Sequence, residues 1–440
     1  MGRTGDGRAV TSGEGREIVR LAVPAFLALV AEPLFLLADA GIVGHLGTTP
    51  LAGLGVAGAI VQTAVGLCIF LAYGTTASVA RRLGAGDLPS ALTQGVDGLW
   101  LAVLIGVPVT AVGVPVSGWL VGVFGPGPQV AEQATTYLHW AFLGVTPLLV
   151  LLAGTGVLRG LQDTRTPLLI AVLGNAANVA LNIGLVYGAG LGIAGSAIGS
   201  DLAQIGSAAA VVVVVARGAR RSGAPLRPDR VGIGRAARAG VALVVRTLTL
   251  RASLLVTTYA ATTLGATALA THQLALTIWT FLAFTLDAIA IAAQAITGRY
   301  LGAGDVAATR SVTDRMTRWG LVSGVVTGLA LAATSPVLGQ IFTNDAAVTS
   351  RLVPVLLVAA AFQPLAGVVF VLDGVLIGAG DGTYLAWGGV LVLAVFVPLA
   401  ALAVAAGHGL VLLWVAFGVG FMGARGAVLL HRARGTAWLT

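Results

Sequence analysis

Two acidic residues, Glu32 and Asp39, stand seven positions apart in AEPLFLLADAGIVGH, a stretch that is otherwise almost wholly apolar. On a helix that spacing is two turns, so both acids share one face, about 10 Å apart in height. Farther along, Asn175, Asn178 and Asn182 follow at i, i+3 and i+7, again on one helical face. Ser200 and Asp201 come next, inside another apolar run. A carboxylate ringed by amides and a hydroxyl can hold a proton or a monovalent cation, and asparagine satisfies a carboxylate without adding charge. A lone charge in hydrocarbon costs about 2.5 kcal/mol or more. These acids therefore either lie outside a membrane or have work to do in it.

Composition decides for the membrane. The chain has 440 residues, 57% hydrophobic and only 10% charged, where an ordinary soluble domain carries about 25% charged residues. Its mean hydropathy is +0.96. Runs such as AAAVVVVVA at 208–216 do not alternate, which excludes an outer-membrane barrel. Twelve helical spans can be drawn, each near the ~20 residues that cross hydrocarbon: 18–42, 51–80, 95–116, 130–154, 167–188, 192–216, 237–261, 267–298, 317–336, 352–377, 383–406 and 409–431. All 25 basic residues are arginine. With a cytoplasmic N-terminus they fall almost entirely on inner segments, Arg425 among them, and the outer loops hold Arg351 alone. That asymmetry is the positive-inside pattern. It accounts for the net charge of +8 as topology and removes nucleic acid as a partner. The single Cys68 excludes an internal disulfide, and the start of the chain carries no cleavable signal pattern.

The chain repeats itself. GAGD occurs at 84–87 and at 302–305, and GVLRGLQD at 156–163 returns as GVLIGAGD at 374–381, both shifted by 218. Six spans per copy is an even number, so the copies share one orientation and a pseudo-twofold along the membrane normal follows. The expected fold is all-α and integral to the membrane: twelve helices in two six-helix lobes, with a cleft between them. The expected organisation is a cytoplasmic tail (1–17), an N-lobe (18–216), a cytoplasmic linker rich in arginine and proline (217–236), a C-lobe (237–431) and a second cytoplasmic tail (432–440).

The repeat separates scaffold from site. The recurring GAGD reads as an inner-face turn, with glycine permitting the bend and aspartate capping the next helix. Polar residues that do not recur are the functional candidates. Asp39 has Thr257 at its repeat position, Glu32 has Leu250 and Asp201 has Val419. Asp39, Asn178, Asn182, Ser200 and Asp201 form the candidate ion-coupling set. A carboxyl group that alternately meets water on either side can take up a proton from one and release it to the other. It drives transport if its two protonation states prefer different helix arrangements. Pro33, Gly41 and Gly44 would let the first span bend. In the second half, Arg246 and Arg251 both fall inside the seventh span, and Arg251 lies at nearly the height of Glu32; the expectation is either a Glu32–Arg251 pair gating the cleft or arginines that hold an anionic substrate. Gln273 and Asp287 are candidate cleft residues. His272 reads as an interfacial histidine, and Asp373 as an acid near the cytoplasmic surface with no assigned role.

Three long segments, 31–58, 158–200 and 268–305, resemble the MATE (multidrug and toxic compound extrusion) family, with its DinF-like branch the best fit. The likeness covers nearly the whole chain. It implies a cation-coupled efflux antiporter of two V-shaped lobes, with the acid at Asp39 carrying proton coupling and the hydroxyl at Ser200 in the same site. The family's pattern of Asn followed four residues later by Asp matches at Asn178 but meets Asn182 where the acid is usual. Asp201 is a candidate to replace that charge.

The function expected is export of organic or amphiphilic compounds by alternating access, coupled to protons, with sodium as the alternative ion and organic anions as an alternative substrate class. A lipid-linked saccharide flippase of the same superfamily is a competing expectation. The five histidines, at 45, 139, 272, 408 and 431, have no metal-ligand spacing, so an enzyme is not expected. No cofactor is expected beyond the transmembrane ion gradient. The expected partners are the lipid bilayer, a small organic substrate and a proton or sodium ion. The chain is expected to act as a monomer in a bacterial inner membrane, with both termini cytoplasmic.

Overall fold

A computed structural model describes residues 6–342, 345–407 and 409–439, leaving aside in α1 most side chains before Glu17 and those of Arg16 and Glu32. Helix follows helix, and no strand occurs among the described residues. The elements are α1 (Asp6–Gly44), α2 (Thr48–Gly84), α3 (Leu88–Val123), α4 (Pro128–Ala141 with Val145–Gly160), α5 (Arg165–Gly188), α6 (Gly192–Ser222), α7 (Arg230–Thr263), α8 (Ala266–Gly302), α9 (Val306–Phe342), α10 (Ala346–Gly378), α11 (Gly382–Ala405) and α12 (Gly409–Arg434). Eleven are single helices long and apolar enough to cross a membrane, and the bent pair α4 makes the twelfth. Large apolar side chains such as Leu37, Trp119, Leu329 and Trp387 point outward. That inversion suits a lipid surround, where apolar faces need no cover.

Several helices depart from the uniform spans drawn on the sequence. The two halves of α4 meet at 52°. Pro147 has no amide to give the carbonyl of Leu143, and Gly144 adds no side chain to resist the bend. Cys68 and Ile69 interrupt α2 with three-residue turns, Cys68 N to Val65 O at 2.9 Å and Leu71 N to Cys68 O at 3.0 Å. A π-helical turn ends α5 at Gly184–Gly188, and another runs through α12 at Phe417–Gly423. The polar stretch 217–236 is mostly helical. Helix α6 runs on to Ser222, where Gly223 at φ 74° closes it, and α7 starts at Arg230.

The chain divides into two compact units. The first holds Val23–Gly240, and the second holds the chain from Val241 onward together with the first turns of α1 up to Ala22. The sequence repeat reappears in the backbone of both. Positive φ occurs at Gly47 (127°) and Gly265 (97°), at Gly86 (77°) and Gly304 (72°), and at Gln162 (65°) and Gly380 (76°), each pair 218 apart. Asp87 caps α3 by accepting from Ser90 N at 3.0 Å, and Asp305 caps α9 by accepting from Ala308 N at 2.8 Å. Packing repeats as well. A Cβ at Gly156 would collide with the carbonyl of Ala72, and a Cβ at Gly374 with that of Ala290, the residue 218 later. Glycine there lets α4 lie against α2 in one unit and α10 against α8 in the other. Valine and leucine from α2, α3, α4 and α6 (Val79, Leu92, Val157, Val211, Val215) fill the core of the first unit.

Candidate functional site

Inside the first unit, four helices bring polar groups to one point. Asp39 of α1 is 3% exposed. Its Oδ1 accepts from Asn182 Nδ2 of α5 at 3.0 Å and from Ser196 Oγ of α6, and its Oδ2 accepts from the Tyr137 hydroxyl of α4 at 3.3 Å. Asn182 also donates to Asn178 Oδ1, one turn away, at 3.2 Å, and Asn178 Nδ2 donates to Ser200 Oγ at 2.9 Å. Asn178, Asn182, Ser196 and Ser200 are all buried. The result is a carboxylate supplied with three donors, backed by a second layer of amide and hydroxyl, in a lobe interior shut off from solvent. Such networks are costly unless their members are satisfied. One atom is not: the Asn182 Oδ1 is buried and has no hydrogen-bond partner. It faces the backbone of Gly199, where any side chain would collide with it. That oxygen is an acceptor open to a proton-bearing group or a cation. No cluster of three or more His, Cys, Asp or Glu side chains occurs among the described residues, so a transition-metal centre has no ligand set there.

Asp201 sits next to this cluster but is held differently. It is 8% exposed, and no group among the described residues donates a hydrogen bond to it. Its Oδ1 fills the space where Gly144 would carry a Cβ, at the break in α4. Asn175 turns aside, donating to the carbonyl of Ala31 at 3.0 Å. The Tyr187 hydroxyl, in the π-helical turn of α5, donates to the carbonyl of Ile42 at 2.5 Å and ties α5 to the end of α1.

The structure thus brings Asp39, Asn178, Asn182 and Ser200 into one bonded network, with Asp201 beside it. Sequence reasoning missed Tyr137 and Ser196. Ser196 had a signal, standing four residues before Ser200 on the same face of α6. Tyr137 had none, because its partner lies 98 residues away on another helix.

Of the residues expected at the cleft, Glu32 lies outside the described side chains. Arg251 and Gln273 are exposed, and Asp287 is half-buried. The second unit holds a different charged centre, which the sequence placed near the surface. Asp373 of α10 is buried, and Arg246 of α7 binds it through two atoms, Nε to Oδ1 at 3.2 Å and Nη2 to Oδ2. Arg425 of α12, expected among the inner-face arginines, is buried too, with Nη2 3.1 Å from Asp373 Oδ1. Three helices each contribute one charge to this centre. His272 is also buried rather than interfacial, with Nε2 3.1 Å from Thr258 Oγ1 and its ring 5.8 Å from that of Trp414.

A multi-pass helical membrane protein built as an internal repeat, with a bonded carboxylate shut inside one of its units, is the class that these observations define. Comparison with known proteins narrows it. The sequence profile of the MatE family matches residues 24–184 and again 242–402, two copies displaced by the same 218 residues as the repeat. The chain belongs to the MatE family. It is 30% identical to the Arabidopsis thaliana Protein DETOXIFICATION 44, chloroplastic, over 86% of this chain and 74% of that one. To the DNA damage-inducible protein F of Escherichia coli it is 27% identical, over 85% and 83% of the two chains. Its fold matches a solved MOP superfamily transporter from Pyrococcus furiosus with a TM-score of 0.88 at 22% identity, over 97% of each.

Proposed function

We propose that the chain is a proton-coupled antiporter that exports organic, amphiphilic compounds from a bacterial cell, lodged in the inner membrane with both termini cytoplasmic. The carrying observation is the three-donor burial of Asp39, since an apolar residue would pack there at no charging cost. In this reading Asp39 takes a proton from the outer side and releases it to the cytoplasm. Loss of its charge loosens its hold on Asn182, Ser196 and Tyr137. The helices α1, α4, α5 and α6 then prefer a different arrangement, and that difference in preference is the coupling. Relatives named as multidrug resistance proteins, including NorM of Bradyrhizobium diazoefficiens at 29% identity, support the substrate class. The family match supports a transporter rather than an enzyme.

A second reading, sodium coupling, draws on the unpartnered Asn182 Oδ1, which with the Asp39 carboxylate offers hard oxygen ligands to a monovalent cation. Vesicles of the purified protein under separately imposed proton and sodium gradients decide between them. The expected result is export of amphiphilic cations under the proton gradient alone, abolished by Asp39→Asn. Export under the sodium gradient alone selects the second reading, and movement under neither refutes both.

A further inference from the structure

Helix α6 is longer than a membrane requires. Its 31 residues rise about 46 Å at 1.5 Å each, while hydrocarbon is about 30 Å thick. Val212, Val213 and Val214 are exposed, as suits a lipid-facing surface, and the helix runs on past them through Arg217, Arg220 and Arg221. Arg227 lies in the loop 223–229, Arg230 opens α7, and Arg235 and Arg238 follow in its next turns. All seven arginines are exposed, and none makes an ion pair or a hydrogen bond among the described residues. The one acid in the stretch, Asp229, is spent on the backbone. Its carboxyl accepts from Val231 N and Gly232 N, both at 3.0 Å, and caps α7.

The loop that carries these charges is fixed. Ala224 is buried in the core of the first unit, and its amide donates to Ala219 O at 2.8 Å. Leu226 O accepts from Trp100 Nε1 at 3.1 Å, and Asp229 N donates to Asp97 Oδ1 at 3.1 Å, so two side chains of α3 hold the loop down. Part of the Trp100 ring stays exposed, as tryptophan does at headgroup level. Orientation in a membrane asks only that arginines lie on one side. It does not ask for a rigid array. Nor does it ask for like charges at i and i+4, as at Arg217 and Arg221, which repel, or for Arg230 at a helix start, where a cation opposes the dipole. In the second unit, Arg299 and Arg432, at the ends of α8 and α12, are used within the protein, each 2.6 Å from its partner, Glu17 or Asp381. The arginines of 217–238 are left for something outside it.

We infer that the segment 217–238 is a docking platform for anionic phospholipid, with headgroup phosphates seated among its arginines and acyl chains lying along the exposed valines at 212–214. Guanidinium holds phosphate through paired N–H donors. Apolar surface continuous with the cations fits an amphiphile better than a soluble anion. The inference holds whichever ion drives transport, and it puts the lipid on the side proposed as cytoplasmic.

The test uses the full chain purified in detergent. Native mass spectrometry counts bound phosphatidylglycerol against phosphatidylcholine, and thermal unfolding reads the stabilisation that each confers. Wild type should prefer phosphatidylglycerol, and the preference should weaken as salt is raised, a measurement that needs no variant. Arg217→Gln, Arg220→Gln and Arg221→Gln together should weaken phosphatidylglycerol binding at least tenfold, since each arginine near an anionic surface contributes about fivefold. The same variant should lose the rise in melting temperature that this lipid gives. Its melting without added lipid should match wild type, because these side chains hold nothing in the fold. The corresponding triple lysine variant keeps the charge and should retain most of the binding. Arg310→Gln, Arg318→Gln and Arg434→Gln together remove the same charge from the second unit and should leave phosphatidylglycerol binding in place. Equal losses in the two glutamine variants, or a lipid preference indifferent to salt, overturn the inference. Displacement of the lipid by inorganic phosphate at equal concentration would identify a soluble-anion site instead and overturn it as well.

Discussion

Asn182 gives both of its amide hydrogens away, to Asp39 Oδ1 at 3.0 Å and to Asn178 Oδ1 at 3.2 Å, while its own oxygen stays buried without a partner. An amide so placed holds a carboxylate without competing for its charge. Replacing it with a second acid changes that balance. In Asn182→Asp two carboxyl groups meet at hydrogen-bond distance, and such a pair cannot be fully ionised. The variant is expected to carry one more proton per substrate than wild type. Measuring proton and substrate fluxes together in vesicles checks this, and an unchanged ratio would place the amide outside the coupling step.

The Arg246–Asp373–Arg425 centre is expected to be a structural requirement of the second unit. Removing one member of a buried ionic group leaves uncompensated charge, at about 3–5 kcal/mol. Asp373→Asn leaves two guanidinium groups facing each other, so it should lower the melting temperature markedly. The triple variant Arg246→Met, Asp373→Leu, Arg425→Met removes the triad as a whole and should melt well above Asp373→Asn, because buried triads are often replaceable by apolar groups. Thermal unfolding in detergent, followed through the buried Trp414, reads both. A triple variant no more stable than the single one would show that the charges themselves are indispensable.

The repeat was legible because it is written in turn residues, which depend on local backbone geometry. Gly86 with Asp87, and Gly304 with Asp305, form the same turn and cap in each unit. The asparagines of α5 were legible because helical spacing alone puts them on one face. What the sequence hid are contacts fixed by bends and by helices far apart in the chain. Tyr137 meets Asp39 across 98 residues of chain, and the 52° break in α4 is concealed by the apolar run 130–154 even though Gly144 and Pro147 mark it. Asp373 looked like a surface acid from its place late in a span. Its burial follows from arginines 127 residues before it and 52 after it, at separations that no local pattern records.

Asp87 gives a prediction in pH. It lies in the turn between α2 and α3, and hydrogen bonds from Ser90 hold its carboxyl below the ordinary carboxylate range. A group lowered on folding stabilises the folded state fully above its unfolded value near ~3.9 and loses that contribution as pH falls through the lowered value. Asp87→Asn keeps the cap but not the charge, so the stability difference between it and wild type should be constant at neutral pH and close as the medium becomes acid. Melting curves of both proteins in detergent from neutral to acid pH measure this. A difference independent of pH would mean that the charge of Asp87 adds nothing to its role as a cap.

Gln162 and Gly380 occupy equivalent turns, yet only one is glycine. Both have positive φ, 65° and 76°. A side chain in that region costs roughly 1–2 kcal/mol, because Cβ crowds the following carbonyl. Glycine avoids this cost but gives up about 0.5–1 kcal/mol in conformational entropy. Gln162→Gly should therefore stabilise the protein by less than about 1 kcal/mol, and Gly380→Ala should destabilise it by about 1 kcal/mol or more. The two variants should move the melting temperature in opposite directions, by a few degrees at most. A Gln162→Gly variant that melts below wild type would mean that the glutamine side chain holds its turn by contacts worth more than the strain it carries. The pair thus measures how far the two copies of the repeat have diverged in the energetics of one turn.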